Sequence, residues 1–370
     1  MEKVLHYVSS MDRGGEETFI MNVFRNIDRQ RVNFGFLYTA PQIGAYGPEI
    51  DKLGGKIHHL KLNRLNNKML KHIDNYVLLK NKLKQLSSKY DYFHIHTQHA
   101  MDAYISSLAA YHAGFDIKKI IVHSHNSSTI YNVMTHRLFK KMLHRLSITR
   151  FACGNDAGQW MFGADEFTII HNGIDLSKFY FRSNIRKEVR KELGWTDKHV
   201  IGNIGRFNVQ KNQLFLIKTF YEYSKIDKNA LLVLIGSGEL KDQLIQLREK
   251  LNLRNRVQIL DSRSDVNRIY QGLDLFVLPS LFEGLPVVLV EAQTSDLPCI
   301  ISDNITDEID LLPTIHRLSL RDELNLWSMT YKKILYGRFS RNDTRNVISK
   351  AGYDIRDVAK YLQDFYLKEN

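Results

Sequence analysis

Cysteine is almost missing from this chain of 370 residues: only Cys153 and Cys299 occur, both inside apolar, strand-like runs. That excludes a disulfide-stapled scaffold. No Cys/His cluster has zinc spacing either, so both thiols read as buried packing residues. No apolar run is long enough to span a bilayer, and Met1-Glu-Lys-Val-Leu-His lacks the apolar core of a signal peptide. A cytoplasmic protein is expected. An Asp-x-Asp arrangement that could hold a metal on a nucleotide diphosphate is also lacking, so the expectation is chemistry without a metal or other cofactor. The dinucleotide fingerprint Gly-x-Gly-x-x-Gly is absent at the first strand exit, which argues against a nicotinamide-dependent oxidoreductase. There is no low-complexity tract and no repeat of solenoid period.

What is present fits a soluble globular protein of two domains, with 44% hydrophobic and 25% charged residues. The net charge of +12 calls for an acidic partner: nucleic acid, an anionic membrane or a phosphorylated ligand. The excess is spread over the chain, since residues 1–175 carry 22 Lys and Arg against 15 Asp and Glu. It concentrates locally between Lys61 and Lys89, and again in Thr135–Leu146, a basic amphipathic helix with Leu138, Met142, Leu143 and Leu146 apolar. Such segments suit an anionic membrane surface or a solvated helix face equally well.

Strand-like and helix-like segments alternate throughout, which argues for parallel, doubly wound sheets. Strands read at Val4–Val8, Phe34–Tyr38, Lys56–Leu60, Tyr92–His96, Lys119–His123, Val200–Gly205, Leu231–Gly236, Val257–Leu260 and Leu275–Ser280. In such sheets ligands bind at the carboxyl ends of strands. Four strand exits carry chemistry. Gly14-Gly15 lies between the first strand and the first helix, where backbone can approach an anion. His123-Ser-His125-Asn126 closes a strand. Arg206 and Lys211 sit between a strand and a helix start, a cation pair suited to a diphosphate. Glu283 precedes Gly284-Leu285-Pro286, and Glu291 lies about one and a half turns into the helix that follows. Two carboxylates with free amides suit a ligand rich in hydroxyls.

The Glu-x7-Glu spacing of Glu283 and Glu291, in the run Phe282-Glu-Gly-Leu-Pro-Val-Val-Leu-Val-Glu-Ala-Gln293, resembles the signature of retaining family-4 glycosyltransferases. Gly14-Gly15, His125, Gly205-Arg206…Lys211 and Gly236-Ser-Gly238 follow that family's motifs in order. Asp12-Arg-Gly-Gly15 and Trp160-Met-Phe-Gly163 resemble bacterial enzymes of capsular and exopolysaccharide assembly. Two positions depart from the pattern: Glu16 and Asp296 stand where the family often has a small residue and a glycine.

The resemblance implies an α/β GT-B fold, two Rossmann-like domains facing each other across a cleft. Residues 1–175 would form an acceptor-side domain with a membrane-facing basic surface, 176–350 a donor-binding domain, and 351–370 a helix returning to the first. Asn172-Gly173 would be the hinge. The implied reaction is retaining transfer of a hexose from a nucleoside-diphosphate sugar, expected to be a UDP-sugar, to a lipid-diphosphate-linked glycan at the inner face of the cell membrane. His125 and Glu283 would be catalytic. Gly14, Gly15, Arg206, Lys211, Gly236, Gly284, Leu285, Pro286 and Glu291 would bind the donor. A non-catalytic partner protein of the same fold and a nucleic-acid-binding protein are the competing readings.

Overall fold

The computed structural model describes residues 1–12, 14–62, 68–128, 132–337 and 339–368, with the side chains of 68–73 set aside. Arg13 and residues 63–67 of the Lys61–Lys89 basic run therefore lie outside the described residues. The chain divides into two compact units, Met1–Gly173 with Gly352–Asn370, and Ile174–Ala351.

The first unit is built on seven parallel strands. They are β1 (Glu2–Val8), β2 (Val32–Tyr38), β3 (Lys56–His59), β4 (Tyr92–Thr97), β5 (Ile120–Ser124), β6 (Thr149–Ala152) and β7 (Thr168–Ile169), in the order β3-β2-β1-β4-β5-β6-β7. The second unit has six: β8 (His199–Ile204), β9 (Ala230–Ile235), β10 (Val257–Leu260), β11 (Leu275–Leu278), β12 (Cys299–Ser302) and β13 (Ile315–Leu318). Their order is β10-β9-β8-β11-β12-β13. Helical crossovers cover both faces of each sheet, so the central strands read as continuous apolar runs; every residue of Ala230–Ile235 is buried. In both units the strand order reverses beside the first strand, at β1/β4 and at β8/β11. Loops leaving the two strands diverge there and open a crevice at the carboxyl edge of the sheet. Cys153 and Cys299 are buried and free, as packing residues would be.

The final helix, Ile355–Leu367, packs on the first unit through Ile355, Val358, Ala359, Leu362 and Tyr366. Tyr361, read from the sequence as part of that apolar face, is 40% exposed. It falls off the i, i+3, i+4, i+7 stripe that these five residues define. The basic helix runs Val133–Leu143, and Leu138, read as a packing residue, points outward at 59% exposure beside Met134 at 86%. Buried Leu143 and His136 hold the inner face instead. Asp296, at the supposed glycine position, does adopt a left-handed backbone with φ of 47°. Its carboxylate is used, accepting the Asn342 N–H at 2.6 Å.

Candidate functional site

The second unit gathers its site from the two loops flanking β8 and β11. After β8 the chain passes Gly205-Arg206 and reaches the Gln213–Ile226 helix through Asn212, which is left-handed at φ 56°. After β11 it passes Pro279–Leu285 and enters the Val287–Thr294 helix with Pro286 at the N-cap. Cross-bonds tie the loops together. The Leu281 N–H donates to Gln210 O at 2.8 Å, the Gln210 amide to Phe282 O at 3.0 Å, and the Asn212 amide to Pro279 O at 3.2 Å. Gly236, after β9, packs so close that a Cβ there would lie 1.9 Å from the Gly205 carbonyl oxygen. No larger residue fits that approach.

Within this frame Lys211 and Glu283 meet. The Lys211 Nζ lies 2.7 Å from Glu283 Oε1, and both side chains are largely buried. The sequence pairs Lys211 with Arg206 as cations. The fold instead sets Lys211 against the carboxylate, leaving Arg206 exposed and without an ion pair among the described residues. Backbone donors complete the arrangement. The N–H groups of Gly284, Leu285 and Val287 find no partner among the described residues, although Gly284 and Leu285 are buried. Orphan amides at a helix start point at an acceptor from outside the chain. The two loops thus present together a neutralised cation, a carboxylate and backbone donors without partners among the described residues.

Glu291 is buried a turn and a half further on. Its Oε2 accepts a 2.9 Å hydrogen bond from the Tyr270 hydroxyl. Burial pushes this carboxyl up to about 7, and the Tyr270 bond partly offsets the rise. Tyr270 escaped the sequence reading. It lies in the Val266–Gly272 helix, where its spacing looks like ordinary core.

In the first unit Gly14 is the N-cap of the Gly15–Asn26 helix, and no side chain caps that end. A Cβ on Gly14 would meet the Glu17 carboxylate at 2.2 Å, while Gly15 faces open space. Desolvation, followed by the charge of Glu17, raises the Glu16 carboxyl to about 8. Glu16 is therefore largely protonated near neutral pH and adds little negative charge beside the loop.

His125, just past β5, is the outermost of five stacked histidines. Register pairs His6 on β1 with His94 on β4, and His96 on β4 with His123 on β5, so all five share one face of the sheet. His6 Nδ1 lies 2.8 Å from His96 Nε2, and His96 Nδ1 lies 2.9 Å from His125 Nε2. His94 Nδ1 meets the Tyr366 hydroxyl at 2.7 Å and its Nε2 lies 3.3 Å from His123 Nδ1. Burial drives the rings toward the neutral form, with His6 and His125 each lowered to about 3.

Sequence spacing showed no such cluster, because three strands and three separate segments supply it. Two trios, His6-His94-His96 and His96-His123-His125, hold nitrogens within 4.8 Å of one another. Their rings stack, with centroids 4.3 Å apart for both His94/His96 and His123/His125. Stacked rings set their in-plane lone pairs side by side rather than at one centre. The in-line pairs are already hydrogen-bonded, so the arrangement is a hydrogen-bond network more than a coordination sphere.

Comparison with known proteins agrees with this architecture. The family described as "Glycosyl transferases group 1" matches residues 185–307, the stretch that contains Arg206, Lys211, Glu283 and Glu291. The putative glycosyltransferase EpsF of Bacillus subtilis is 33% identical over 99% of this chain and 96% of its own length. The capsular polysaccharide biosynthesis glycosyltransferase CapH of Staphylococcus aureus is 23% identical over 100% of this chain and 99% of its own. An Escherichia coli enzyme named UDP-Gal:alpha-D-GlcNAc-diphosphoundecaprenol alpha-1,3-galactosyltransferase is 34% identical over 37% of this chain and 37% of its own. Among solved structures, Anabaena HepE in complex with UDP and glucose superposes with a TM-score of 0.77 at 19% identity, covering 100% of both chains. With two parallel-sheet α/β units and these neighbours, the fold is GT-B, and the chain belongs to the group 1 glycosyltransferases, with a relative named for capsular polysaccharide biosynthesis.

Proposed function

We propose that this glycosyltransferase moves a hexose from a nucleoside-diphosphate sugar, UDP-linked, to a lipid-diphosphate-linked glycan with retention of anomeric configuration. The observation that carries the reading is the loop at Glu283, where the N–H groups of Gly284, Leu285 and Val287, without partners among the described residues, stand beside a buried Lys–Glu pair. A diphosphate arriving there accepts from Lys211 and the exposed Arg206. Charge that builds on the leaving diphosphate is met by groups already in place, so stabilisation grows toward the transition state. As the phosphate takes over Lys211, Glu283 is released to accept from sugar hydroxyls, and the N–H groups of Gly284 and Leu285 donate to sugar oxygens. Pro286 has no N–H to offer and fixes the turn into the helix. Glu291 accepts from the ribose, and Gly236 keeps the β9 exit low enough for close backbone approach.

In the first unit the reading gives His125 the role of positioning the transferred sugar, and Gly14-Gly15 that of a diphosphate contact at a helix start. No side chain is assigned as a covalent nucleophile and no metal is invoked; departure and attack occur on the same face of the sugar. The E. coli relative, whose name specifies a UDP-galactose donor and a diphosphoundecaprenol-linked acceptor, supports both substrate classes. Attachment at an anionic membrane is supported by one face of the Val133–Leu143 helix and its extension. There Met134, Arg137, Leu138, Lys141 and Arg145 are all exposed, without an acidic residue between them.

Thermal-shift measurements against UDP, GDP, ADP and their sugars test the donor assignment. Stabilisation by UDP that disappears in Arg206→Ala and Lys211→Ala is the expected result. Folded protein that none of these ligands stabilises would overturn it. NMR of the anomeric proton in the product then decides between retention and inversion.

A further inference from the structure

The five-histidine stack contains a continuous chain of three rings that ends at His125. We propose that His96, backed by His6, is a positioning residue for His125, holding its ring in one orientation and locking its tautomer to those of the other two. The inference rests on the reading in which His125 positions the sugar.

The argument is one of hydrogen-bond counting. A neutral imidazole has one N–H donor and one lone-pair acceptor, on different nitrogens. His6 Nδ1 meets His96 Nε2 at 2.8 Å, and His96 Nδ1 meets His125 Nε2 at 2.9 Å. Each link needs one donor and one acceptor, and each joins the Nδ1 of one ring to the Nε2 of the next. Once one proton is placed, all the others follow. Either all three rings carry the proton on Nδ1 or all three carry it on Nε2; a mixed set leaves two donors or two lone pairs head to head. His6 is 3% exposed and His96 6%, so water cannot readily substitute for a mismatched bond.

The ends of the chain make the lock directional. His6 Nε2 has no partner, and its ring lies against Phe34, with centroids 4.2 Å apart. His125 Nδ1 also lacks a partner and is itself buried, although His125 is the only one of the three residues that is partly exposed. The partly exposed end of the chain is therefore the one at the exit of β5. Packing adds rigidity, since His125 stacks on His123 at 4.3 Å and lies 5.9 Å from the Phe19 ring. A side chain that must hold one ring orientation toward a sugar in every turnover gains that constancy from the chain behind it.

Nitrogen-15 NMR of the full chain, labelled at histidine, reads the tautomers without any ligand. The expected spectrum at neutral pH has His6, His96 and His125 protonated on the same nitrogen. Different tautomers among the three, or a charged ring in the chain, would overturn the lock. The function of the lock is read from UDP release, with UDP-glucose and UDP-galactose as probes.

His96→Leu removes both links and should lower kcat by about tenfold or more while leaving KM within about threefold, because the misplaced group acts after binding. His96→Asn, whose amide occupies the Nδ1 position and can still bond His125, should recover most of that loss. A merely structural role would not separate the two variants at matched unfolding midpoints. Equal rates for wild type and folded His96→Leu refute the positioning role. His125→Ala serves as the control for the underlying reading: if it turns over normally, the assignment of His125 itself fails. If His125→Ala is inactive while His96→Leu is unaffected, only the chain is refuted.

Discussion

Consider lowering the pH from about 7.5 to about 5, a change that this fold resists unevenly. In the first unit His6 and His125 are held at about 3 and His136 at about 4, against an ordinary value of 6.5, because burial strips water from the charged rings. Below 6.5 the unfolded chain takes up protons that the folded rings refuse. Their contribution to stability is thus complete above pH 6.5 and is lost as pH falls from there toward 3 to 4. At about pH 5 proton linkage costs roughly 2 kcal/mol per ring, or about 6 for these three. Glu16 opposes this: its carboxyl is raised from 4.5 to about 8, so acid relieves about 3 kcal/mol.

The net loss is about 3 kcal/mol, and His94, His96 and His123, all lowered by burial, push it further in the same direction. A domain's total stability is about 5–15 kcal/mol, so the first unit comes close to unfolding. The second unit moves oppositely. Glu291 is raised from 4.5 to about 7, and its penalty, full above 7, eases by about 2 kcal/mol on the same acidification. Hydrogen exchange read by mass spectrometry, corrected for intrinsic rates, reports each unit through its own peptides. Peptides from 1–173 should lose protection at pH 5 well before those from 174–351. His6→Gln should flatten the response by about 2 kcal/mol. Equal protection in both units, or earlier loss in the second, refutes the assignment of the histidines as buried and neutral.

Three further outcomes follow from the site and the surface. Lys211→Met removes the ion-pair partner of the buried Glu283 carboxylate and should cost the ligand-free second unit about 3 kcal/mol. Adding Glu283→Gln should return much of it, so additive losses in a urea-denaturation double-mutant cycle would show that the pair is not coupled. Gly236→Ala drives a Cβ to 1.9 Å from the Gly205 oxygen, which should lower stability by about 2 kcal/mol and abolish the UDP thermal shift; an unchanged midpoint would refute the close approach. Met134→Glu with Leu138→Glu should release the protein from vesicles containing phosphatidylserine, since it removes two large exposed apolar side chains from the cationic face. Equal flotation of variant and wild type would show that this face does not carry membrane attachment.

Much of this protein was decided by local sequence. Runs such as Ala230–Ile235 must be buried on both faces, and their alternation with helical spacing leaves parallel doubly wound sheets as the consistent answer. Strand exits carrying Gly14-Gly15, Arg206, Lys211, Glu283 and Glu291 were legible for the same reason, because a strand–turn–helix connection is a short-range feature. Pairing across the fold was not. The sequence places Lys211 near Arg206, five residues away; only the loop that brings residue 283 beside residue 211 reveals the ion pair. Tyr270 could not be linked to Glu291, nor Tyr366 to His94, since each bond joins segments whose order in space depends on the complete sheet. The histidine chain is the extreme case: residues 6, 96 and 125 share no local pattern. Parallel strands paired in register put them on one face, and burial there keeps them neutral. Periodicity is a property of neighbours along the chain, whereas register and charge state belong to the assembled sheet.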